Sequence, residues 1–386
     1  MNGRVVYLLD RYESPKIVSG PYASPASAEA RARLHADPAY RELRERLARA
    51  GVFAPAHAGY AWRMIALVAG YAALFAYLAT APALPARLAA CVGLGLVHTW
   101  CNFIGHDLSH GAVARRAWVT ALLGQGFDTL LTGFSFSYFR RSHTLHHYHC
   151  NEDDFDPDTL SALWSVSEHG ARAKRGVGRL ATRVQHRVVP LLYVLWAAVL
   201  KVQGLAYVAR NSRAARADLA ALALHIAGWW WLAARVGPVT AALDYAVMTG
   251  VVGVYLGVIF PIGHVGIGMV DAAGAPRSFL EHQLATTRNV TSSRVRDLLF
   301  MGLNSQIEHH LFPWAPSMRL GRARAVVRAF CRERGLPYHE VGHRAAMAAV
   351  MCHLRDMAVV ASSAGGAVPG VADIVGCPEQ VGLPEA

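Results

Sequence analysis

The chain holds 19 histidines, and eight of them fall at spacings that can gather metal. His106 and His110 stand four residues apart in H-D-L-S-H. His143, His146 and His147 form H-T-L-H-H. His309 and His310 close Q-I-E-H-H, with Gln306 three residues ahead of His309. His264 stands alone in P-I-G-H-V. Helix positions i, i+3 and i+4 share a face, so each group can aim its donors at one point. Eight imidazoles are too many for one zinc, which takes four ligands and, in catalytic sites, about three from the protein. They suit two ions. Imidazole ligation suits iron, copper, nickel or zinc. No cysteine joins the three boxes, which disfavours thiolate zinc or an iron–sulfur cluster.

Such donors need rigid elements to hold them, and the rest of the sequence supplies apolar helices. Of 386 residues, 54% are hydrophobic and 17% charged, and the mean hydropathy is +0.25. A soluble domain carries about 25% charge. Disorder, a coiled coil and a collagen-like chain are excluded, and an integral membrane protein is the leading class. A stretch of about 20 apolar residues spans hydrocarbon. Spans are expected at about 64–83, 84–104, 219–236 and 240–262, as two hairpins turning near Ala81–Pro85 and at Gly237-Pro238. Trp118–Phe134 and Val188–Val208 are apolar too. Gly124, Gln125, Gly126 and Asp128 interrupt the first, and Lys201 and Gln203 the second. Polar groups facing lipid are costly, so both are expected as interfacial or re-entrant helices.

The formal net charge is +12. A nucleic-acid binder would also be basic, but here the cations lie between apolar stretches. Arg115, Arg116, Arg140, Arg141, Arg172, Lys174, Arg175, Arg179, Arg183 and Arg187 fill the region 105–218, whereas the hairpin turns hold at most Arg87. By the positive-inside rule, both termini and this middle region face the cytoplasm, and so do the histidine groups. The Arg- and Ala-rich composition suggests a bacterial inner membrane. Residues 1–62 read as a cytoplasmic N-terminal segment without a cleavable signal, 63–340 as the membrane domain, and 341–386 as a partly disordered C-terminal segment. Six cysteines without C-x-x-C spacing predict no disulfides.

The three boxes resemble those of the integral-membrane fatty acid desaturase family. The third, followed by L-F-P, is similar to the front-end and sphingolipid-type branch, in which glutamine replaces the first histidine. N-E-D-D-F-D-P-D from Asn151 and E-H-Q-L-A-T-T-R-N from Glu281 also look like the family, and the resemblance covers roughly 60–340. It implies an all-α integral membrane fold: four transmembrane helices plus interfacial helices, and a cytoplasmic helical cap holding a dinuclear iron site. It carries the catalytic and ligand roles onto His106, His110, His143, His146, His147, His264, His309 and His310. Gln306 becomes a weak ligand or a hydrogen-bond partner of bound water. The implied reaction is desaturation of a fatty acyl chain, carried on coenzyme A, a carrier protein or a membrane lipid, with O2 as co-substrate and two electrons. Many front-end members carry a fused haem domain with H-P-G-G. No such motif occurs here, so electrons are expected from a separate ferredoxin-like or cytochrome-type protein. No nucleic-acid partner is expected.

Metal-bound histidine commonly donates its other N–H to a carboxylate or carbonyl. Asp107, Asp156 and Asn304 are the residues expected in that supporting role, with Asp154, Asp158 and Glu308 in a wider set. Phe134, Phe136, Tyr138 and Trp229–Trp231 are candidate walls of an acyl tunnel, with the tryptophans read first as an interfacial anchor. Arg288 and Asn289 are candidate head-group contacts. His225 reads as a packed residue, and His149 and His282 as bystanders or supports. A hydroxylase, epoxygenase or acetylenase would use the same ligands and differ in product mass. A zinc intramembrane protease would use His106 and His110 with Asp107 as base, and would leave two boxes unexplained. A metal carrier would set its ligands inside the spans, along a pathway.

Overall fold

A computed structural model describes residues 37–363, apart from 115, 154, 162 and 270–277. The expectations for residues 1–36, Arg115, Asp154 and the tail after 363 fall outside the described residues.

Helix α1 (Pro38–Arg49) begins where the Asp37 carboxylate accepts from the Ala39 and Tyr40 amides, a side chain satisfying the free donors of a first turn. Helices α2 (His57–Ala79) and α3 (Leu84–Ser109) form one hairpin. After it come α4 (Ala117–Gly124), α5 (Phe136–Tyr148), α6 (Glu168–Ala173) and the 35-residue α7 (Gly176–Arg210). Helices α8 (Arg216–Val236) and α9 (Pro238–Ile259) make a second hairpin about Gly237. Its φ of +91° suits glycine, which lacks the Cβ that would clash. The last third holds α10 (Phe279–Thr286), α11 (Arg294–Leu299), α12 (Gln306–Leu311), α13 (Leu320–Arg334) and α14 (His343–Ser362). A short parallel pair, β1 (Asn289–Val290) with β2 (Glu340–Val341), ties the segment before α11 to the segment before α14.

Among the described residues, six helices are long and apolar enough to cross a membrane: α2, α3, α7, α8, α9 extended to Gly263, and α14. The chain is a mostly helical integral membrane protein. The four expected spans fall on α2, α3, α8 and α9. Two expectations need correction. Trp118–Phe134 is not one interfacial helix: α4 ends at Gly124 and passes into a π-helical turn, Gln125–Leu130. Asp128 in that turn is buried against Gly105 of α3, where a Cβ would come within 2.1 Å of its carboxylate. Val188–Val208 is not a separate piece either. It is the C-terminal part of α7, whose apolar face packs along α9. Small residues allow that approach: a Cβ at Gly253 or Gly257 would come within 2.4 Å of Tyr193 on α7. Residues 343–362 also form a helix, packed on α7, which the sequence reading did not identify. Arg344, Arg355 and Asp356 hid its apolar face. Cys91, Cys101, Cys150 and Cys331 are free and buried.

Polar and aromatic contacts brace the bundle at its two ends. At one end, Arg87 of α3 donates twice to Asp244 of α9, at 2.8 and 2.5 Å. At the other end, α1, α10, α12 and α13 pack around Tyr40, Leu43, Leu47, Phe312 and Phe330 to form a second core beside the bundle.

Candidate metal centre

Helix α3 brings His106 and His110 on its last turn, α5 carries His143, His146 and His147, and α12 carries His309 and His310. His264 follows the 3-10 turn Pro261–Gly263 at the end of α9. These elements converge. One ring nitrogen each of His106, His110, His143, His147 and His309 lies within 4.8 Å of all the others. His146, His264 and His310, with the Cys150 thiol, form a second group within the same limit. The groups abut, with the ring of His147 stacked on that of His310 at 4.1 Å.

Helix geometry explains the division. Residues four apart point almost the same way, while neighbours diverge by about 100°. His143 and His147 therefore enter the first group and His146 the second. His309 and His310 part in the same manner.

The donors fit a transition-metal ion. His147 Nε2 lies 3.1 Å from His143 Nε2 and 3.1 Å from His309 Nε2. Nitrogens so spaced, each about 2.1 Å from a shared ion, would subtend roughly 95°. His110 Nε2 and His310 Nε2 are buried with no hydrogen-bond partner. Burial, with neighbouring imidazoles adding to it, pushes His143, His147, His309 and His310 well below the usual 6.5. Burial does the same for His264, helped by His146. Neutral rings keep the lone pairs that a metal needs. His146 differs. Burial lowers it as well, but the Asp156 and Asp158 carboxylates outweigh that and hold it at about 9.

Four of the eight rings, those of His106, His146, His264 and His310, are held by other side chains or backbone. His106 Nδ1 meets Asp107 at 3.2 Å, and Asp107 accepts from the Tyr60 hydroxyl. His146 Nδ1 lies 3.0 Å from Asp156, a fully buried carboxylate that also accepts from the Asn151 and Asp158 amides. Asn151 sits at φ +55°, a region that Asn tolerates better than most residues. Its amide side chain holds the His264 carbonyl at 3.0 Å. Gln306 Nε2 lies 2.9 Å from His264 Nε2, and its Oε1 is buried without a partner.

Three expectations fail here. Asn304 does not reach the histidines; its amide donates to Asp297 at 2.7 Å and braces a loop. Arg288 is buried and donates to the Ile262 and Val265 carbonyls, and Asn289 is buried against Glu308, so neither is free to meet a head group. Glu308 is tied to Asn289 and Tyr338 and touches no ring of the cluster. Phe134 and Phe136 are buried in the bundle, whereas Trp230 and Trp231 are 68% and 51% exposed on its outer face. Tyr138 is half-buried, its hydroxyl on Gln203. His225 is packed, bonded to the Leu130 carbonyl. His149 pairs with Glu152, and His282 meets the Cys150 carbonyl.

The sequence reading missed Gln283 and Cys150. Gln283 donates to the His147 carbonyl at 2.9 Å, and its oxygen lies 3.0 Å from His310 Nδ1. It stands inside E-H-Q-L-A-T-T-R-N, which was the available signal. Cys150 was set aside as lying outside the boxes, yet its sulfur sits 3.3 Å from His264 Nδ1.

The sequence model of the family described as fatty acid desaturase matches residues 82–342. An acyl-lipid (9-3)-desaturase of Physcomitrium patens is 26% identical over 348 residues, 84% of this chain and 63% of that protein. An acyl-lipid (8-3)-desaturase of Thraustochytrium sp is 27% identical over 354 residues, 88% of this chain and 79% of that one. A Delta 8-(E)-sphingolipid desaturase of Kluyveromyces lactis is 26% identical over 291 residues, 69% of this chain and 50% of that protein. The chain thus spans less than two thirds of the moss and yeast relatives.

Proposed function

The chain belongs to the fatty acid desaturase family, and on that footing we propose that it is an oxidoreductase that inserts a C=C bond into an acyl chain at a centre of two iron ions. The reaction uses O2 and two electrons from a separate ferredoxin-like or cytochrome-type donor. The observation that carries this reading is the sorting of eight imidazoles, all but His110 buried, into two abutting groups. His106, His110, His143, His147 and His309 would hold one ion, and His146, His264 and His310 the other. Gln306 would complete the second position through its free oxygen or through a bound water. The names of the relatives favour a lipid-borne acyl or sphingolipid chain as substrate.

Bound iron would supply an oxidant derived from O2, since no side chain can remove hydrogen from an unactivated methylene by acid–base chemistry. The protein's own residues bind and orient. Asp107 and Asp156 fix the rings of His106 and His146, and Gln283 links the His147 backbone to the His310 ring. Burial keeps bulk water from the ring nitrogens. In this reading residues 63–340 form the membrane desaturase domain, and α2, α3, α8 and α9 are its four spans. Helix α7 runs along α9 within that bundle and α14 packs on α7, and the centre lies at the cytoplasmic side of an inner membrane. Asp107 is turned onto His106 and Tyr60, so it does not stand free as the base a protease would need.

Two measurements test the reading. Elemental analysis of the detergent-purified protein should find about two irons per chain, and the lipid product should be two hydrogens lighter than its precursor. One zinc with little iron would overturn it, and a product heavier by one oxygen would make the enzyme a hydroxylase. His146→Ala should abolish turnover and lower iron content while the protein still inserts in membranes; full activity would sink the assignment.

A further inference from the structure

A second polar constellation lies inside the apolar bundle, away from the histidine cluster. On α3, His98, Asn102, His106 and His110 follow one another at four-residue spacing and so share a face. Both ring nitrogens of His98, a fully buried residue, lack a well-aligned hydrogen-bond partner, and so do both side-chain heteroatoms of Asn102. The His98 ring lies 6.0 Å from that of Phe134, and the Lys201 ammonium sits 5.4 Å from the same ring. Lys201 Nζ donates to the Tyr245 hydroxyl at 2.8 Å. Tyr245 lies 3.3 Å from His225 Nε2, whose other nitrogen meets the Leu130 carbonyl at 2.9 Å.

The donors in this chain can be counted. The Leu130 carbonyl can only accept, so His225 carries its proton on Nδ1 and Nε2 accepts from Tyr245. Tyr245 oxygen in turn accepts from Lys201. An ammonium has three N–H donors and no acceptor, so two remain unspent. No carboxylate lies within 4 Å of Lys201 among the described residues. One His98 nitrogen is turned toward the Thr132 backbone, which leaves the other as an acceptor without a partner. Unsatisfied donors in hydrocarbon are costly, and an ionisable residue within a membrane bundle is a functional site by default.

We propose that Lys201, Tyr245 and His98 form a seat for an oxygen atom carried on the hydrocarbon chain of the substrate, as a hydroxyl or a carboxylate. This rests on the desaturase reading, because the chain must pass the histidine cluster to reach the seat. His98 lies eight residues from His106, about 12 Å of helix rise. That is about ten carbons of extended chain, taking bonds of ~1.5 Å projected on the chain axis. The substrate class is an acyl chain with an oxygen function roughly that far from the reacting carbons. A proton path is the competing use of such a chain of donors. It is disfavoured because it would end at Lys201, beyond which no further hydrogen-bond partner follows among the described residues.

The test is ligand-induced thermal stabilisation of the purified full chain in detergent. The probes are methyl palmitate, methyl 16-hydroxyhexadecanoate and the monomethyl ester of hexadecanedioic acid, so that the only free oxygen function is the one at the far end of the chain. The shift in Tm with ligand concentration yields relative affinities. At least one of the two probes with a free terminal oxygen should bind about tenfold tighter than methyl palmitate, as one charge-assisted hydrogen bond would give. Lys201→Met and His98→Leu should each bring that preference down to about onefold, with iron content serving as the control for folding. If neither variant folds, the preference in the unaltered protein still decides. Equal affinities for the three probes overturn the proposal. A preference that survives both variants also overturns it, as does a change in the pH profile of turnover without any change in preference. No step of this readout requires turnover, so failure of the desaturase reading would register separately, as missing iron or missing product.

Discussion

The ion pair between Arg87 and Asp244 gives the sharpest stability prediction. Its side chains are 8% and 5% exposed and share two hydrogen bonds. Asp244→Ala removes both bonds and strands a guanidinium among apolar helices. Charge-assisted bonds contribute about 1.5–3 kcal/mol each, so two contribute ~3–6 kcal/mol. Removing one partner of a buried pair typically costs about 3–5 kcal/mol. Asp244→Ala and Arg87→Met should each destabilise by that amount. The double variant Arg87→Met/Asp244→Leu abolishes both charges and should lie within ~1 kcal/mol of the parent, or be more stable. Unfolding by SDS titration in mixed micelles measures the parent, the two single variants and the double variant. Turnover per folded molecule should hold in every variant, because His106 is 19 residues, about 28 Å of helix rise, from Arg87. Single variants within ~1 kcal/mol of the parent would refute the reasoning. So would a double variant as unstable as the singles.

Asp156→Asn keeps the shape behind His146 but removes its charge. Loss of such a partner lowers metal affinity about 10–100-fold, so at an iron concentration that just fills the parent the average content of the variant should fall well below that of the parent. Undiminished loading measured by elemental analysis would count against the assigned second site. Gly105→Ala would place a Cβ 2.1 Å from the Asp128 carboxylate. We expect about 1–3 kcal/mol of destabilisation from that overpacking and reduced iron retention beside His106; an unchanged unfolding midpoint would mean that Asp128 simply swings aside. The metal-free protein should lose stability as pH falls below about 6.5. There the unfolded chain takes up protons that the buried, lowered imidazoles of His143, His147, His264, His309 and His310 refuse. His146 runs the other way, its contribution present below 6.5 and lost as pH rises through about 9. With five rings against one, the thermal midpoint should fall between pH 6.5 and 5.5, and a flat profile would contradict the burial described.

The histidines were legible because helical spacing is written directly in sequence, and so were the hairpins, because hydropathy reports burial in lipid. Contacts between distant segments escaped the sequence. Gln283 reaches the cluster only because α10 packs across α5 and α12, and no periodicity announces that. Asn304 stands two residues from Gln306 and was expected to support the histidine rings. The chain turns between them, and Asn304 faces Asp297 instead. Arg288 looked like a surface cation, yet its guanidinium spends its donors on two backbone carbonyls in the interior. Helix α14 was read as part of a tail because its cations dilute the hydropathy of a helix that packs one face on α7.

The parting of adjacent histidines on α5 and α12 has a consequence for how the centre fills. Each helix serves both positions, so the first ion to arrive fixes the rotation of both helices about their own axes. The second ion then meets donors already aimed at it and orders almost nothing further. Loading should therefore be cooperative: subsaturating iron should leave a mixture of empty and doubly filled chains, with few chains holding a single ion.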